Sequence, residues 1–345
     1  MTITTRNRDF QEARRAKADE FYTSLQDIER ELKHYTPHFE GKVVYCNCDD
    51  PRASNFFRFF ARNFEQLGLK KLITTCYRSQ YPNQFGRADS DHAVYLEYTG
   101  DRNGTSLSDG EVIGIEPLSG DGDFRSAESA QLLHQADIVV TNPPFSLFRE
   151  YVAQLMEHQK QFLILGNMNA LTYKEIFPHF QNDQMWYGPS IRSGDREFRV
   201  PDDYPLTAAG TRVDNDGNKY VRVKGVRWFT NLDYPGRHDE LALHRTYTPH
   251  AYPTYANFDA IDVSKTMDIP VDYDGPMGVP ITFLDKYSPR QFDILGSSKT
   301  LGRPMSKIAK KGTYQQGGPR FYLPNGDGTY RRMYDRIVIK NKQPA

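Results

Sequence analysis

The sequence predicts an α/β protein with a doubly wound sheet, and two observations lead to that fold class. Short apolar runs typical of buried strands recur along the N-terminal half of the chain. Segments with the apolar spacing of helices separate these runs over about 150 residues, which is the alternation that a helix-covered parallel sheet produces. The 345 residues contain no apolar run near the roughly 20 residues that span a bilayer.

The elements are expected in a regular order after a polar arm, residues 1–19. The first helix has Leu25, Ile28 and Leu32 on one face, and the second is rich in phenylalanine, which indicates core packing. A turn-rich insert separates two strands that are expected to form a hairpin near the sheet edge. The predicted helices are 24–35, 54–67, 126–134 and 146–159, and the predicted strands are 41–46, 71–76, 93–98, 112–115, 136–140, 161–166, 185–188, 220–224 and 226–230, with a final hairpin of 320–323 and 330–339.

The chain is expected to have two parts, because its character changes beyond residue 180. We predict a catalytic domain over 1–235 and a second region over 236–345 that is rich in Pro, Gly, Tyr and Asp. Residues 290–345 hold 12 Lys and Arg against 3 Asp and Glu, although the whole chain carries 44 of each sign. This asymmetry suggests a charged partner for the C-terminal region, and a solvated basic face is the plainer alternative.

Composition excludes several classes of protein. A net charge of zero excludes a globally basic nucleic-acid binder. Cys46, Cys48 and Cys76 form neither an even disulfide set nor a zinc-spaced group with histidines, so we expect reduced thiols, a cytoplasmic location and no metal. The basic and acidic N-terminus lacks the apolar stretch of a secretory signal, and no membrane association is expected.

The segment from Thr141 to Phe145 reads Thr-Asn-Pro-Pro-Phe and follows the predicted strand 136–140. It therefore leaves the carboxyl edge of the sheet, the usual ligand side of such folds. The two prolines stiffen the loop and push Asn142 to an extended conformation. An amide, exposed carbonyls and an aromatic ring on a rigid rim suit a planar base that carries an amino group.

The chemistry follows from these groups. If Asn142 Oδ1 and the Pro143 carbonyl accept the two amino hydrogens of adenine, the nitrogen lone pair turns outward. Phe145 can then stack on the ring and hold the nitrogen for in-line attack on a sulfonium methyl, and this needs neither a metal nor a strong base. The plainer alternative is a strand end with a tight Asn-Pro turn.

Polar residues after two other strands are candidate cofactor ligands. Asn47, Asp49 and Asp50 follow the first strand, and Asp123 with Phe124 follows a later one. These residues suit a nucleoside cofactor with an amino-acid moiety, while helix capping and an ordinary turn are the alternatives. The chain has no Gly-x-Gly-x-x-Gly and no Walker loop, so dinucleotides and triphosphates are disfavoured.

With these motifs in order, the chain resembles the EcoRI-type family of adenine-specific DNA methyltransferases, in the arrangement that places target recognition C-terminally. The similarity runs from about Asp19 to Gly296. It rests on 19–23 (Asp-Glu-Phe-Tyr-Thr), 43–51 (Val-Val-Tyr-Cys-Asn-Cys-Asp-Asp-Pro), 141–145, 166–170 (Gly-Asn-Met-Asn-Ala), 228–232 (Trp-Phe-Thr-Asn-Leu) and 277–287. Several ordered motifs are far more specific than one tetrapeptide.

The resemblance implies a Rossmann-like class I methyltransferase sheet that uses S-adenosylmethionine. Tyr22 and Thr23 would meet its methionine part, and Asp123 with Phe124 its adenine. The loop with Cys46, Asn47, Asp49 and Asp50 would take the place of the first cofactor loop, although it lacks the usual glycines. The second strand ends without an acid for the ribose, so Tyr77 would stack on the cofactor instead. Asn142, Pro143, Pro144 and Phe145 would hold the target adenine.

The same resemblance implies double-stranded DNA as the partner, a flipped adenine, and a place in restriction–modification. Cations are expected to contact the phosphates. They are Arg222, Lys224 and Arg227 in the insert, and Lys307, Lys310, Lys311, Arg331 and Arg332 in the C-terminal region. Alternatives are an RNA base or a protein glutamine as substrate, or a DNA-binding protein without turnover. The oligomeric state stays open, and a monomer is compatible with the sequence.

Overall fold

The computed structural model describes residues 22–52, 54–77, 93–100, 107–108, 111–112, 114–192, 194–200 and 210–344. The predicted N-terminal arm and the start of the motif at Asp19 lie outside these residues, as does Ile113 in the fourth predicted strand. None of the described helices is long and apolar enough to cross a membrane.

The described helices and strands are short, and most of the predicted ones are present in the predicted order. The structure adds elements outside the predicted ranges, among them 177–181, 195–200, 211–213, 261–262, 277–280, 292–297 and 298–301. The α-helices are α1 (Leu25–Leu32), α2 (Asn55–Arg62), α3 (Ala127–Gln135), α4 (Phe148–Glu157), α5 (Phe177–Gln181) and α6 (Ser298–Leu301). The strands of the N-terminal part are β1 (Val43–Cys46), β2 (Lys71–Cys76), β3 (Val94–Tyr98), β4 (Leu107–Ser108), β5 (Glu111–Val112), β6 (Glu116–Pro117), β7 (Ile138–Thr141), β8 (Gln161–Asn167), β9 (Trp186–Tyr187), β10 (Asp195–Val200), β11 (Thr211–Val213), β12 (Lys219–Lys224) and β13 (Val226–Thr230). The later strands are β14 (Ile261–Asp262), β15 (Met277–Pro280), β16 (Phe292–Ser297), β17 (Tyr322–Pro324), β18 (Tyr330–Arg332) and β19 (Arg336–Asn341).

The largest sheet has eight strands in the order β6-β3-β2-β1-β7-β8-β13-β9. Strands β2, β1, β7 and β8 are parallel neighbours, while β3 and β13 are antiparallel to the strands they flank. The central strands read as continuous apolar runs because helices cover both faces of such a sheet. All four residues of β1 and all four of β7 are buried. The α/β fold class is thus confirmed, with antiparallel strands toward both edges.

The helices start where the sequence supplies caps. Ser54 caps α2, and its hydroxyl accepts from the N–H groups of Phe56 and Phe57. Ser24 and Ser126 cap α1 and α3 in the same way. The phenylalanine-rich helix is core, as predicted, because Phe56, Phe57 and Phe60 of α2 are buried.

The chain divides into two compact units. The first comprises Met1–Glu175 and Tyr187–Asp233, and the second comprises Ile176–Trp186 and Tyr234–Ala345. The first unit contains a second, three-stranded antiparallel sheet in the order β10-β12-β11. The second unit contains the four-stranded sheet β14-β15-β19-β16 and the hairpin β17–β18.

A buried polar group organises the second unit. Arg336 Nε donates to Asp262 Oδ1 at 2.9 Å, and the Tyr255 hydroxyl donates to the same oxygen at 2.5 Å. Asp262 is 3% exposed, so its charge is compensated inside the protein by the guanidinium. Beside this group, Tyr255 packs with Phe321, Leu323 and Val338 in an apolar cluster.

Two expectations about strands need correction. The second strand of the edge hairpin is Glu116–Pro117, which pairs antiparallel with β3 and lies just beyond the predicted 112–115. In the C-terminal hairpin, Tyr322–Pro324 pairs with Tyr330–Arg332, but the predicted strand 330–339 is interrupted there. Its second half is β19, which pairs with β15 and β16 instead, because its fully apolar run 337–339 is buried in that sheet.

Candidate functional site

Two loops of the candidate site leave neighbouring parallel strands at the same edge of the sheet. Val44 and Tyr45 of β1 lie opposite Ile138 and Val139 of β7. The loop after Cys46 and the loop after Thr141 therefore start side by side, since carboxyl ends of parallel strands meet at one edge. This brings together two groups of residues that are almost one hundred positions apart in the chain.

Asp49 joins the two loops. Its Oδ2 accepts from the Thr141 hydroxyl at 2.6 Å, and its Oδ1 accepts from the Ser54 hydroxyl at 2.7 Å. Burial raises the pKa of the Asp49 carboxyl to about 6, although both hydrogen bonds act to lower it. Both oxygens are thus engaged by protein groups. Asp49 therefore connects the two loops, and its predicted contact with a cofactor stays a prediction.

The loop after Cys46 is also hydrogen-bonded to β2. The Asp49 N–H donates to the carbonyl of Thr75 at 2.9 Å, and the Thr74 hydroxyl donates to the carbonyl of Asp49 at 2.6 Å. Cys46, the last residue of β1, is fully buried, and burial raises the pKa of its thiol. Its side chain therefore packs inside the sheet at the base of the loop.

Helix α4 contributes two side chains that the sequence analysis missed. The buried Tyr151 hydroxyl donates to Asn47 Oδ1, and its ring meets Phe124 edge-on with centroids 5.0 Å apart. Gln154 Nε2 donates to the carbonyl of Phe124 at 2.9 Å. The signal for these residues was their i,i+3 spacing on the helix that follows the Asn-Pro-Pro-Phe loop, with a polar Gln on its inner face.

The segment with Asp123 and Phe124 lies against the end of β2. Gly122 has φ +73°, and a Cβ there would meet the carbonyl oxygen of Cys76 at 2.4 Å, so only glycine fits this approach. Phe124 is buried, whereas Tyr77, one residue after Cys76, is half-buried. Asp123 and Phe124 therefore lie beside the end of β2, where Tyr77 follows.

Two predicted carboxylates each pair with an arginine two positions later. Asp50 accepts from Arg52 Nε at 2.9 Å and from its terminal nitrogen at 2.6 Å. Asp123 accepts from Arg125 in the same bidentate manner, at 2.9 and 2.7 Å, and Arg125 also reaches Glu150 of α4 at 2.8 Å. These pairs lie nearer to solvent than Asp49 and orient both carboxylates.

Tyr22 and Thr23 lie beside the start of α2. Asn55 Nδ2 donates to the Thr23 carbonyl at 2.8 Å, and the Tyr22 N–H donates to the Arg199 carbonyl at 3.1 Å. Thr23 is 5% exposed, and its hydroxyl has no hydrogen-bond partner among the described residues. A buried hydroxyl in that state is suited to bind a ligand, because leaving it unsatisfied costs free energy.

The Asn-Pro-Pro-Phe loop ends in a short 3₁₀ turn, Phe145–Leu147, that leads into α4. Pro144 is extended, with φ −54° and ψ 123°, and its carbonyl accepts from the Leu147 N–H at 3.0 Å. One of the carbonyls expected to face a ligand is therefore engaged locally. Asn142 and Phe145 are half-buried at the end of β7, and the Oδ1 atom of Asn142 is itself buried.

The predicted DNA contacts fall into three groups. Arg222 and Lys224 are exposed on β12 of the first unit. Arg227 is 3% exposed on β13, and its guanidinium donates to the carbonyls of Val226 and Arg192, so we leave it out of the proposed surface. In the second unit, all the predicted cations are at least partly exposed: Lys307, Lys310, Lys311, Arg331 and Arg332.

Within the described residues, no group of three or more His, Cys, Asp or Glu is placed to hold a metal ion. Side-chain amides, hydroxyls, aromatic rings and buried carboxyls therefore make up the candidate site among these residues.

Comparison with known proteins gives the class of this protein. The family described as "Adenine-specific methyltransferase EcoRI" matches residues 9–342, nearly the whole chain. The chain belongs to this family of adenine-specific methyltransferases. Its activity is methyl transfer to adenine in DNA, and the fold described above is the class I methyltransferase fold.

Three curated relatives are similar over almost their full lengths. The chain is 49% identical to the type II methyltransferase M.EcoRI of Escherichia coli over 348 aligned positions, which cover 99% of each chain. It is 39% identical to M.MpnI of Mycoplasma pneumoniae and 37% identical to M.MgeORF184P of Mycoplasma genitalium, with 97% of this chain covered in both cases. No solved structure matches.

Proposed function

We propose that the protein transfers the methyl group of S-adenosylmethionine to the exocyclic amino nitrogen of an adenine flipped out of duplex DNA. The observation that carries this proposal is the hydrogen bond between Asp49 and Thr141, 2.6 Å long. It ties the proposed cofactor loop to the strand that delivers Asn142. Cofactor and base would thus be held at a defined separation, which is the main requirement for in-line transfer.

At the proposed base site, Asn142 Oδ1 and the Pro143 carbonyl accept the two hydrogens of the amino group. This draws the nitrogen toward sp³ geometry and exposes its lone pair. Phe145 stacks on the ring and offsets part of the few kcal/mol that base flipping costs. The proton leaves after attack, so no strong base is needed.

At the proposed cofactor site, S-adenosylmethionine supplies an electrophilic methyl group on a sulfonium. The residues present fit it, because the buried Thr23 hydroxyl requires a partner and the Gly122 turn brings Asp123 and Phe124 to the end of β2. Asp50 and Asp123 carry the carboxylates nearest solvent. Asn47 and Asp49 keep the first loop in place, with Cys46 at its base.

Residues 236–345 are proposed as the target-recognition region, acting on double-stranded DNA. Their support is the excess of cations from Arg290 to the C-terminus and the exposure of Lys307, Lys310 and Lys311. Phosphate contacts of this kind supply affinity that is independent of sequence. With DNA as the substrate and no disulfide expected, the cytoplasm is the proposed compartment.

The test is methyl transfer from labelled S-adenosylmethionine to unmethylated plasmid DNA, followed by digestion to nucleosides. We expect label in adenine methylated at its amino group, and a loss of at least about a hundredfold in kcat for Asn142→Ala, since one positioned polar group is typically worth that much. Asn182→Ala, at the exposed end of α5, is the matched control and should keep wild-type activity.

The other outcomes are equally informative. Transfer to RNA or to a protein glutamine, with none to DNA, would contradict the substrate while keeping the reaction. Wild-type activity in Asn142→Ala would mean that this loop does not hold the reacting base.

A further inference from the structure

The three-stranded sheet of the first unit has one face turned to solvent. In its antiparallel register, Glu197 lies opposite Arg222, and Arg199 lies opposite Tyr220. Successive residues of a strand point to opposite faces, so these four side chains share one face, together with Lys224. The other face carries the buried apolar residues Phe198, Val200 and Val221.

Three cations on the outer face make no ion pair with any described carboxylate. They are Arg199, Arg222 and Lys224, all of them exposed, and we call them the cationic face. A fourth cation, Arg212, pairs with Glu197 through two hydrogen bonds of 2.7 and 2.5 Å. Arg212 also lies 4.2 Å from the centroid of the Tyr220 ring. Because Glu197 offsets Arg212, the net positive charge of this face comes from the other three cations, reduced by the half-exposed Asp195.

The Lys224 end of the cationic face lies at the same edge of the large sheet as the Asn-Pro-Pro-Phe loop. Asn167, the last residue of β8, donates through Nδ2 to the Lys224 carbonyl at 2.8 Å, and the Met168 N–H donates to the Gly225 carbonyl at 2.7 Å. Thr141 of β7 pairs with Ile164 of β8, so the loop after Thr141 leaves beside the last residues of β8.

The other end of this small sheet reaches the proposed cofactor residues, since the Tyr22 N–H donates to the Arg199 carbonyl at 3.1 Å. The exposed cations therefore sit between two parts of the proposed site. The backbone that carries these cations is held by hydrogen bonds at both ends of the small sheet.

We propose that the cationic face binds the phosphate backbone of duplex DNA beside the flipped adenine. This rests on the proposed function. Arg222 and Lys224 are already predicted from the sequence to contact phosphates, and the register of the small sheet adds Arg199 to them within the catalytic unit. The argument is charge complementarity next to the base-binding loop, because an exposed sheet face with three cations and few acids is a ready phosphate-binding surface. Of the four cations, Arg199, Arg222 and Lys224 would contact phosphates. Arg212 would not, because Glu197 already neutralises its charge.

The test is the salt dependence of duplex binding by the full-length protein, with a fluorescent mixed-sequence duplex as the probe. Each lost phosphate contact lowers the magnitude of the slope of log K against log salt by about 0.9. We expect single Gln variants of Arg199, Arg222 or Lys224 each to lower it by about that amount, and the triple variant by about 3. Replacement of Arg199 and Arg222 by lysine should retain most of the slope, because the charge is kept.

Two controls match these variants. The double variant Arg212→Gln/Glu197→Gln leaves the net charge of the sheet unchanged and should leave the slope unchanged. Lys70→Gln removes one exposed cation just before β2, at the amino edge of the large sheet, and should also have no effect. Melting temperatures of all variants report whether the fold is intact, and the single variants decide the question if the triple variant does not fold.

An unchanged slope in the folded triple variant, with wild-type protein methylating DNA, overturns this inference alone. Loss of slope in the Arg212→Gln/Glu197→Gln variant equal to that of the single variants also overturns it, because charge position would then not matter. If wild-type protein binds the duplex but transfers no methyl group to DNA, the proposed function fails independently of this surface.

Discussion

At the scale of single residues, the buried carboxylate of Asp49 shows how a loop residue can act through its neighbours. Its two oxygens accept hydrogen bonds from Ser54 and Thr141, so it fixes the relation between a helix start and a strand end. Asp49 is therefore a positioning residue, and its loss should shift the two loops without removing a group that reacts.

Thr141→Val tests this link with little change of shape. It removes the hydroxyl that donates to Asp49 Oδ2 and leaves a buried carboxylate oxygen without that partner, which costs about 1–3 kcal/mol. Urea denaturation should show this loss in the free energy of unfolding. Thr36→Val, at an exposed position of the same unit, should change stability by less than about 0.5 kcal/mol. Equal stability of the two variants would contradict the role given to Thr141.

Tyr151→Phe tests how α4 organises the cofactor loops. The variant loses the hydrogen bond to Asn47 but keeps the ring that packs on Phe124. One such hydrogen bond is worth about 0.5–1.5 kcal/mol, so we expect KM for S-adenosylmethionine to rise roughly 2- to 10-fold while kcat changes less.

Steady-state kinetics at saturating DNA separates the two constants for Tyr151→Phe. Tyr95→Phe removes a hydroxyl that bonds Glu116 at the exposed sheet edge, and it should leave both constants unchanged. A fall in kcat with constant KM would show that Tyr151 acts on the chemical step and not on cofactor placement.

At the scale of elements, helix α1 is fastened to the segment after β9 by a buried carboxyl group. Glu31 is 0% exposed, and it accepts from the Tyr35 hydroxyl at 2.9 Å and from the Ser190 N–H at 2.8 Å. Burial raises the pKa of Glu31 to about 7, against the opposing effects of these hydrogen bonds and of Arg192. The folded state is therefore favoured most when this carboxyl is protonated, because the desolvation of its charge outweighs the hydrogen bonds that favour the ionised form.

Glu31→Gln should change how stability depends on pH. The carboxyl titrates near 4.5 when unfolded and near 7 when folded, so its contribution is full below about pH 4.5 and is lost as pH rises to about 7. The full loss is on the order of 3 kcal/mol. Relative to wild type, the glutamine variant should therefore gain stability between pH 5 and pH 8. Parallel melting-temperature curves for the two proteins over this range would contradict the assignment.

Most of the predicted elements follow local sequence, although strands such as 195–200, 277–280 and 292–297 lie outside the predicted ranges. The strands of the central sheet and the capped helices match the predicted ranges to within a few residues, apart from ends such as 63–67 that do not continue as helix. The sequence predicts one strand over 330–339, yet residues 333–335 interrupt it. Its two halves join different partners, β17 and the pair β15 and β16, and strand pairing of that kind is not encoded locally.

At the scale of the whole molecule, the basic C-terminal region should supply sequence-independent affinity for DNA. Charge reversal at Lys310 and Lys311 should weaken binding to a similar extent on all duplex sequences and reduce the salt slope, because phosphate contacts carry no sequence information. Titration of two unrelated duplexes at several salt concentrations measures both effects. Lys265→Glu/Lys286→Glu, exposed in the same unit but outside the basic segment, is the control. A loss confined to one duplex sequence would mean that these lysines read bases.

The sequence by itself determined the fold class, the order of the central strands and capped helices, and the loop at the end of β7. These features depend on apolar periodicity, caps and proline geometry, which act over a few residues. The tertiary structure alone decided which polar groups bind other parts of the protein and which are exposed to bind a ligand. In it, Asp49 accepts a hydrogen bond from Thr141. Arg227 is buried and donates to the carbonyls of Val226 and Arg192. Arg199, Arg222 and Lys224 lie on one exposed face of the small sheet. Burial and hydrogen-bond partners arise between residues far apart in the chain, so only the packed structure could reveal them.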